Sequence, residues 1–103
     1  MLKTIPSEFD QQRGVLTLHL PEHFDFELHR AFRNAYRQAQ PLPRGYVIDL
    51  SSVTAMDSSA LGMLLLLREH AGGESADIHV VNACTEVRGL LGAVGFDRLF
   101  MLQ

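Results

Sequence analysis

Val47-Ile-Asp-Leu-Ser-Ser-Val-Thr-Ala-Met-Asp-Ser-Ser-Ala-Leu-Gly-Met63 is the stretch on which the fold turns. Its first residues read as a buried strand, a polar loop follows, and Asp57-Ser58-Ser59 opens a helix. A helix N-terminus leaves backbone N–H groups unpaired and carries partial positive charge, so a hydroxyl there lies where a phosphoryl group can be accommodated. With Ser58 at zero on a helical wheel turning ~100° per residue, Ala60, Met63, Leu64, Leu67 and Ala71 cluster between about 140° and 240°. That cluster is the expected core stripe. Leu61, Gly62, Leu65, Arg68 and Glu69 fall within about 80° of Ser58, on the outer side. Leu61, Gly62 and Leu65 are therefore the expected partner patch, with the hydroxyl at its edge.

Working outward, Gly45–Leu50 is apolar without alternation, which predicts a strand covered on both faces. The serine helix is expected over Asp57–Ala71, ended by Gly72-Gly73. Ile78–Val81 reads as another short strand. Thr85 is the expected cap of a third helix carrying Val87, Leu90, Leu91 and Val94, weakened by Gly89 and Gly92 and ended by Gly95. Leu99–Leu102 supplies a last strand. Upstream, Leu16, Leu18 and Leu20 alternate as in a strand, and Leu2–Phe9 can pair with it through a turn at Asp10–Gly14. Leu28, Ala31, Phe32, Ala35, Tyr36 and Ala39 follow helical spacing over Asp25–Ala39, with Asp25 as N-cap and Pro41 and Pro43 as stops. The predicted order is β-β-α-β-α-β-α-β. That implies an α/β class fold, a single domain over residues 1–103 with a mostly parallel sheet.

The chain has 103 residues, enough for one core, and its 47% hydrophobic and 20% charged composition is that of a folded domain. A net charge of −3 argues against general affinity for nucleic acid or an anionic membrane. Arg30, Arg33 and Arg37 read as a solvated helix face. Cys84 is the single cysteine, so no intrachain disulfide forms; it is expected to be a small, partly buried residue in a reducing, cytoplasmic interior. No leader or membrane span is read, and a monomer is the default expectation.

Catalytic and ligand chemistry receives little support. No Gly-x-Ser-x-Gly elbow surrounds Ser58, and no phosphate-binding Gly-x-x-x-x-Gly-Lys loop is present. His19 and His23 have helical ligand spacing but straddle a strand end and Pro21, which reads as surface or half-buried histidines and not a metal pair. Asp49 is expected to organise the strand end. No enzyme activity, cofactor or metal is expected.

The segment Met56-Asp57-Ser58-Ser59-Ala60-Leu61-Gly62 resembles the phosphorylation loop of the STAS domain, the fold of bacterial anti-sigma factor antagonists (anti-anti-sigma factors). Ala60 stands where that loop usually has glycine. The strand motif is similar at Val47–Leu50 and the closing motif at Val94–Phe100. The family's Gly-Glu-Leu-Asp turn is replaced by Pro21-Glu22-His23-Phe24-Asp25, with Asp25 in the place of the aspartate beside the loop. This resemblance implies that Ser58 is the phosphoacceptor and that Asp57, Ser59 and Asp25 support the loop. It implies a partner-switching role in transcription regulation, in which the unmodified form binds an anti-sigma factor or an equivalent regulator. It further implies a serine kinase of the histidine-kinase-like ATPase type and a PP2C-type phosphatase, the latter fused in some such systems to a response regulator. The alternatives are a STAS accessory subunit of a membrane ABC transporter, docking without phosphorylation, and a small hydrolase using Ser58.

Overall fold

The computed structural model describes residues 4–103. Strand β1 (Ser7–Asp10) pairs antiparallel with β2 (Val15–His19), and the turn between them closes where Asp10 Oδ1 accepts the Gln12 and Arg13 amides. The chain then adds β4 (Gly45–Asp49), β6 (Ile78–Val81) and β7 (Met101–Leu102), each parallel to its neighbour, to give the order β1-β2-β4-β6-β7. Three helices connect the parallel strands: α1 (His29–Arg37), α2 (Ser58–His70) and α3 (Thr85–Ala93). Parallel neighbours require such crossovers, and this is the α/β arrangement the spacing predicts.

Burial follows the pleat. Leu16, Tyr46 and Ile78 are register neighbours and buried; so are Leu18, Ile48 and Val80. The alternate row, Thr17, Val47 and His79, is half-buried and Met101 beyond it is exposed. The expectation that β4 is covered on both faces is therefore corrected. Its continuous apolar run hides a one-sided strand, because Phe32, Tyr36, Met63, Leu64, Leu67, Val87 and Leu91 from all three helices join one core cluster. The thin dimension of 20 Å fits one sheet under one layer of helices.

Further differences are local. The helix expected over Asp25–Ala39 divides into a 3-10 turn at Phe26–Leu28 and α1 itself; Asp25 does cap it, accepting the Glu27 amide at 3.0 Å. Thr85 is the first residue of α3 and not its cap; Cys84 holds the cap position, offers no side-chain hydrogen bond, and is exposed, not partly buried. The last strand is only Met101–Leu102, because Phe96–Arg98 makes a 3-10 turn that drives Phe96 and Phe100 into the core. Leu2 lies outside the described residues. Two short strands escaped the sequence reading altogether: β3 (His23–Phe24) and β5 (Ala55–Met56), a parallel pair. Two-residue strands carry no periodicity to read, yet this pair decides where the serine goes.

Candidate functional site at the start of helix α2

The β3–β5 pair draws the segment before α1 against the segment before α2. Glu22 carbonyl accepts the Thr54 amide at 2.9 Å, and the Phe24 carbonyl accepts the Asp57 amide at 3.4 Å. Phe24 is fully buried and stacks obliquely on Phe32 with ring centres 5.5 Å apart, so one aromatic anchor fixes both segments. Asp25 and Asp57 consequently end adjacent strands and each opens a helical turn.

Asp57 is the N-cap of α2. Its Oδ1 accepts the Ala60 amide at 2.9 Å, and its Oδ2 accepts the Phe26 amide at 3.3 Å. A single carboxylate thus caps α2 and ties down the turn before α1. Ser58 follows as the first helical residue, is exposed, and its hydroxyl makes no hydrogen bond among the described residues. Ser59 is half-buried and Ala60 fully buried. The capping requirement is met by the aspartate, which leaves the serine hydroxyl chemically unoccupied at the positive end of a 13-residue helix.

The outer face of α2 differs from the wheel at two positions, Leu61 and Arg68, both half-buried. Leu65 is 40% exposed, but Leu61 is half-buried and packs against the core; the second exposed leucine is Leu66, at 52%. Leu61 lies at the flank of the stripe, partly buried against the core. Gly62 is exposed with open space around it. Sequence reasoning missed Phe26, which is 70% exposed and stacks on His29. Its amide is anchored on Asp57, so an exposed aromatic belongs to the turn tied to the start of α2. The available signal was Phe26 between Asp25 and Glu27, out of phase with the buried stripe of α1.

A second polar cluster lies on the open face of the sheet. His19 Nδ1 is 2.8 Å from Asp49 Oδ2, and His19 Nε2 is 2.6 Å from Glu8 Oε1. Asp49 Oδ1 accepts the Ser51 amide at 3.0 Å and Asn82 Nδ2 at 3.1 Å. Asp49 thus organises the strand end. Burial pushes its carboxyl pKa up, but the donors from Asn82, Ser51 and His19 outweigh that and hold it at about 2. The hydrogen bonds to Glu8 and Asp49 raise the His19 pKa above its ordinary 6.5. His23 is exposed and does not join this cluster.

Among the described residues, no group of three or more His, Cys, Asp or Glu is placed to hold a metal, and no helix is long and apolar enough to cross a membrane. A groove of about 1010 Å³ runs between β1 and α1 over Phe9, Leu16, Ala31 and Ala35, and none of Asp57, Ser58 or Leu65 lines it.

Comparison with known proteins agrees with this architecture. A family model described as "Mlab, STAS domain" matches residues 7–103. A STAS-domain containing protein of Pseudomonas aeruginosa, PA14_20770, is 46% identical over 102 residues, covering 99% of this chain and 98% of that protein. The anti-sigma factor antagonist SpoIIAA in its unphosphorylated form superposes with a TM-score of 0.69 at 16% identity, covering 92% of this chain and 96% of that one. A sulfate transporter family protein from Wolinella succinogenes gives 0.72 at 14% identity, covering 84% and 75%. At such identities the two structures establish a shared fold.

Proposed function

Since this chain belongs to the STAS-domain family, we propose that it is an anti-sigma factor antagonist whose binding is switched by phosphorylation of Ser58. The observation that carries the reading is the exposed hydroxyl of Ser58 beside a cap already provided by Asp57. In the unmodified form, Phe26, Leu65 and Leu66 with Gly62 give an anti-sigma factor, or an equivalent regulator, an apolar surface to cover. Leu61, flanking this patch, supports it from below. Ser59 and Asp25 shape the loop.

A serine kinase of the histidine-kinase-like ATPase type transfers the ATP γ-phosphoryl group to Ser58 Oγ, and a PP2C-type phosphatase hydrolyses it. The phosphoryl group brings about −1.5 to −2 charges to a surface that is apolar on one side and carries Asp57 on the other. Two charges ~5 Å from one partner carboxylate repel by about 1.7 kcal/mol at the dielectric of water, already over tenfold in affinity. The α2 N-terminus stabilises the dianion within the domain, so binding fails while the fold persists. The role needs no catalysis by this chain and places it in the cytoplasm beside its partner.

The experiment is phosphopeptide mass spectrometry of the protein isolated from its own cells, together with identification of what co-purifies. A phosphoryl group on Ser58 and a co-purifying regulator of a sigma factor support the reading. The shared fold of a transporter-family protein keeps a second reading in view, a STAS accessory subunit of a membrane ABC transporter. Co-purification of a membrane ATPase with unmodified Ser58 would select it.

A further inference from the structure

The geometry points to a pH-gated latch in which His19, held between Glu8 and Asp49, fastens the edge strand β1 to the interior of the sheet. Both ring nitrogens face carboxylate oxygens, Nε2 at 2.6 Å from Glu8 and Nδ1 at 2.8 Å from Asp49. A carboxylate only accepts, so both contacts are hydrogen bonds only when both nitrogens carry protons. The charged imidazolium bridges three strands, because Glu8 is on β1, His19 on β2 and Asp49 on β4, where Asp49 is the register partner of His19.

No other charge among these contacts competes. The groups facing the ring are Glu8 from β1 and Asp49 from β4; beyond Asp49, the β6 side contributes the neutral Asn82, itself paired through its backbone to Gln103. Asp10 shares the β1 face with Glu8 but is engaged by its own turn, and His79 on the same face is paired to Asp77 at 3.0 Å. The helices pack against the other face.

Loss of the proton releases one partner, and the structure decides which. Asp49 keeps the Ser51 amide and Asn82 as donors and its side chain is 15% exposed, so the remaining proton stays on Nδ1. Glu8 is 76% exposed and is hydrated on release at little cost. Deprotonation therefore opens the latch at β1 and leaves the Asp49–Ser51 link, at the start of the loop toward Ser58, in place. An edge strand is where a sheet meets other polypeptide chains, so its fastening becomes a function of pH.

The test is a pH titration of the full chain by NMR. The His19 ring is expected to be predominantly protonated at pH 6.5 and to titrate above it, and Glu8→Gln, at an exposed site, to lower that pKa. After correction for intrinsic exchange, amide protection across β1 falls as His19 deprotonates while that of Ser51 is maintained. Titration of His19 at or below 6.5 overturns the latch, as does an unchanged His19 pKa in Glu8→Gln or a parallel loss of protection at Ser51.

Discussion

The Phe26 amide donates to Asp57 Oδ2 at 3.3 Å, so the turn before α1 is anchored on the residue that caps α2. Replacing Asp57 by Ala removes this contact and the Ala60 cap at 2.9 Å together. The expected cost is about 1–2 kcal/mol in urea unfolding, with Asp57→Asn losing less because the amide oxygen still accepts. An Asp57→Ala variant as stable as wild type would show that the cap does not hold this corner.

The two faces of α2 separate stability from recognition. Leu64→Ala, at a fully buried site, is expected to cost about 2–5 kcal/mol. Leu65→Ala and Leu66→Ala remove exposed side chains and should each stay within about 0.5 kcal/mol of wild type. In the proposed function these two, with Phe26→Ala, weaken partner binding nonetheless. Comparing denaturation midpoints with binding of the co-purified regulator distinguishes the effects.

Stability should have a plateau bounded by two groups of opposite sign. Asp49 is depressed from 3.8 to about 2, so its contribution, about 2 kcal/mol, is present above pH 3.8 and is lost as pH falls through 2. His19 is raised, so its contribution is complete below pH 6.5 and is lost as pH rises through its native value. Denaturant unfolding across pH should show both limbs; Glu8→Gln should flatten the alkaline one and leave the acid one unchanged.

The turn into the last strand rests on a backbone that only glycine adopts freely. Gly95 has φ +81° and open space where a Cβ would stand. Gly95→Ala should therefore cost about 1–2 kcal/mol from conformation alone, without repacking of Phe96 or Phe100. Thermal unfolding with an unchanged near-UV aromatic signal checks this.

How much of this was legible in the chain depends on the kind of signal each element carries. The α2 limits were readable because Asp57 and Gly72-Gly73 bracket a run of apolar residues, and the structure gives Ser58–His70. The one-sidedness of β4 was not, because Val47 makes the run look uniformly apolar while Asp49 alone marks the open face. The β3–β5 pair is too short for periodicity, so the contact of Asp57 with Phe26 had no local signature. Leu61 is half-buried where the wheel puts it on the outer side, because small rotations of a helix against its neighbours decide burial at such positions. The Glu8–His19–Asp49 cluster joins residues distant in sequence and became visible only through strand register.

The most direct measurement of the central claim compares wild type, Ser58→Ala and Ser58→Asp for binding to the regulator that co-purifies with the native protein, with circular dichroism as the folding control. The account predicts that all three are folded, that Ser58→Ala binds as unmodified wild type does, and that Ser58→Asp loses at least tenfold in affinity. A folded Ser58→Asp variant that binds as tightly as wild type would contradict it.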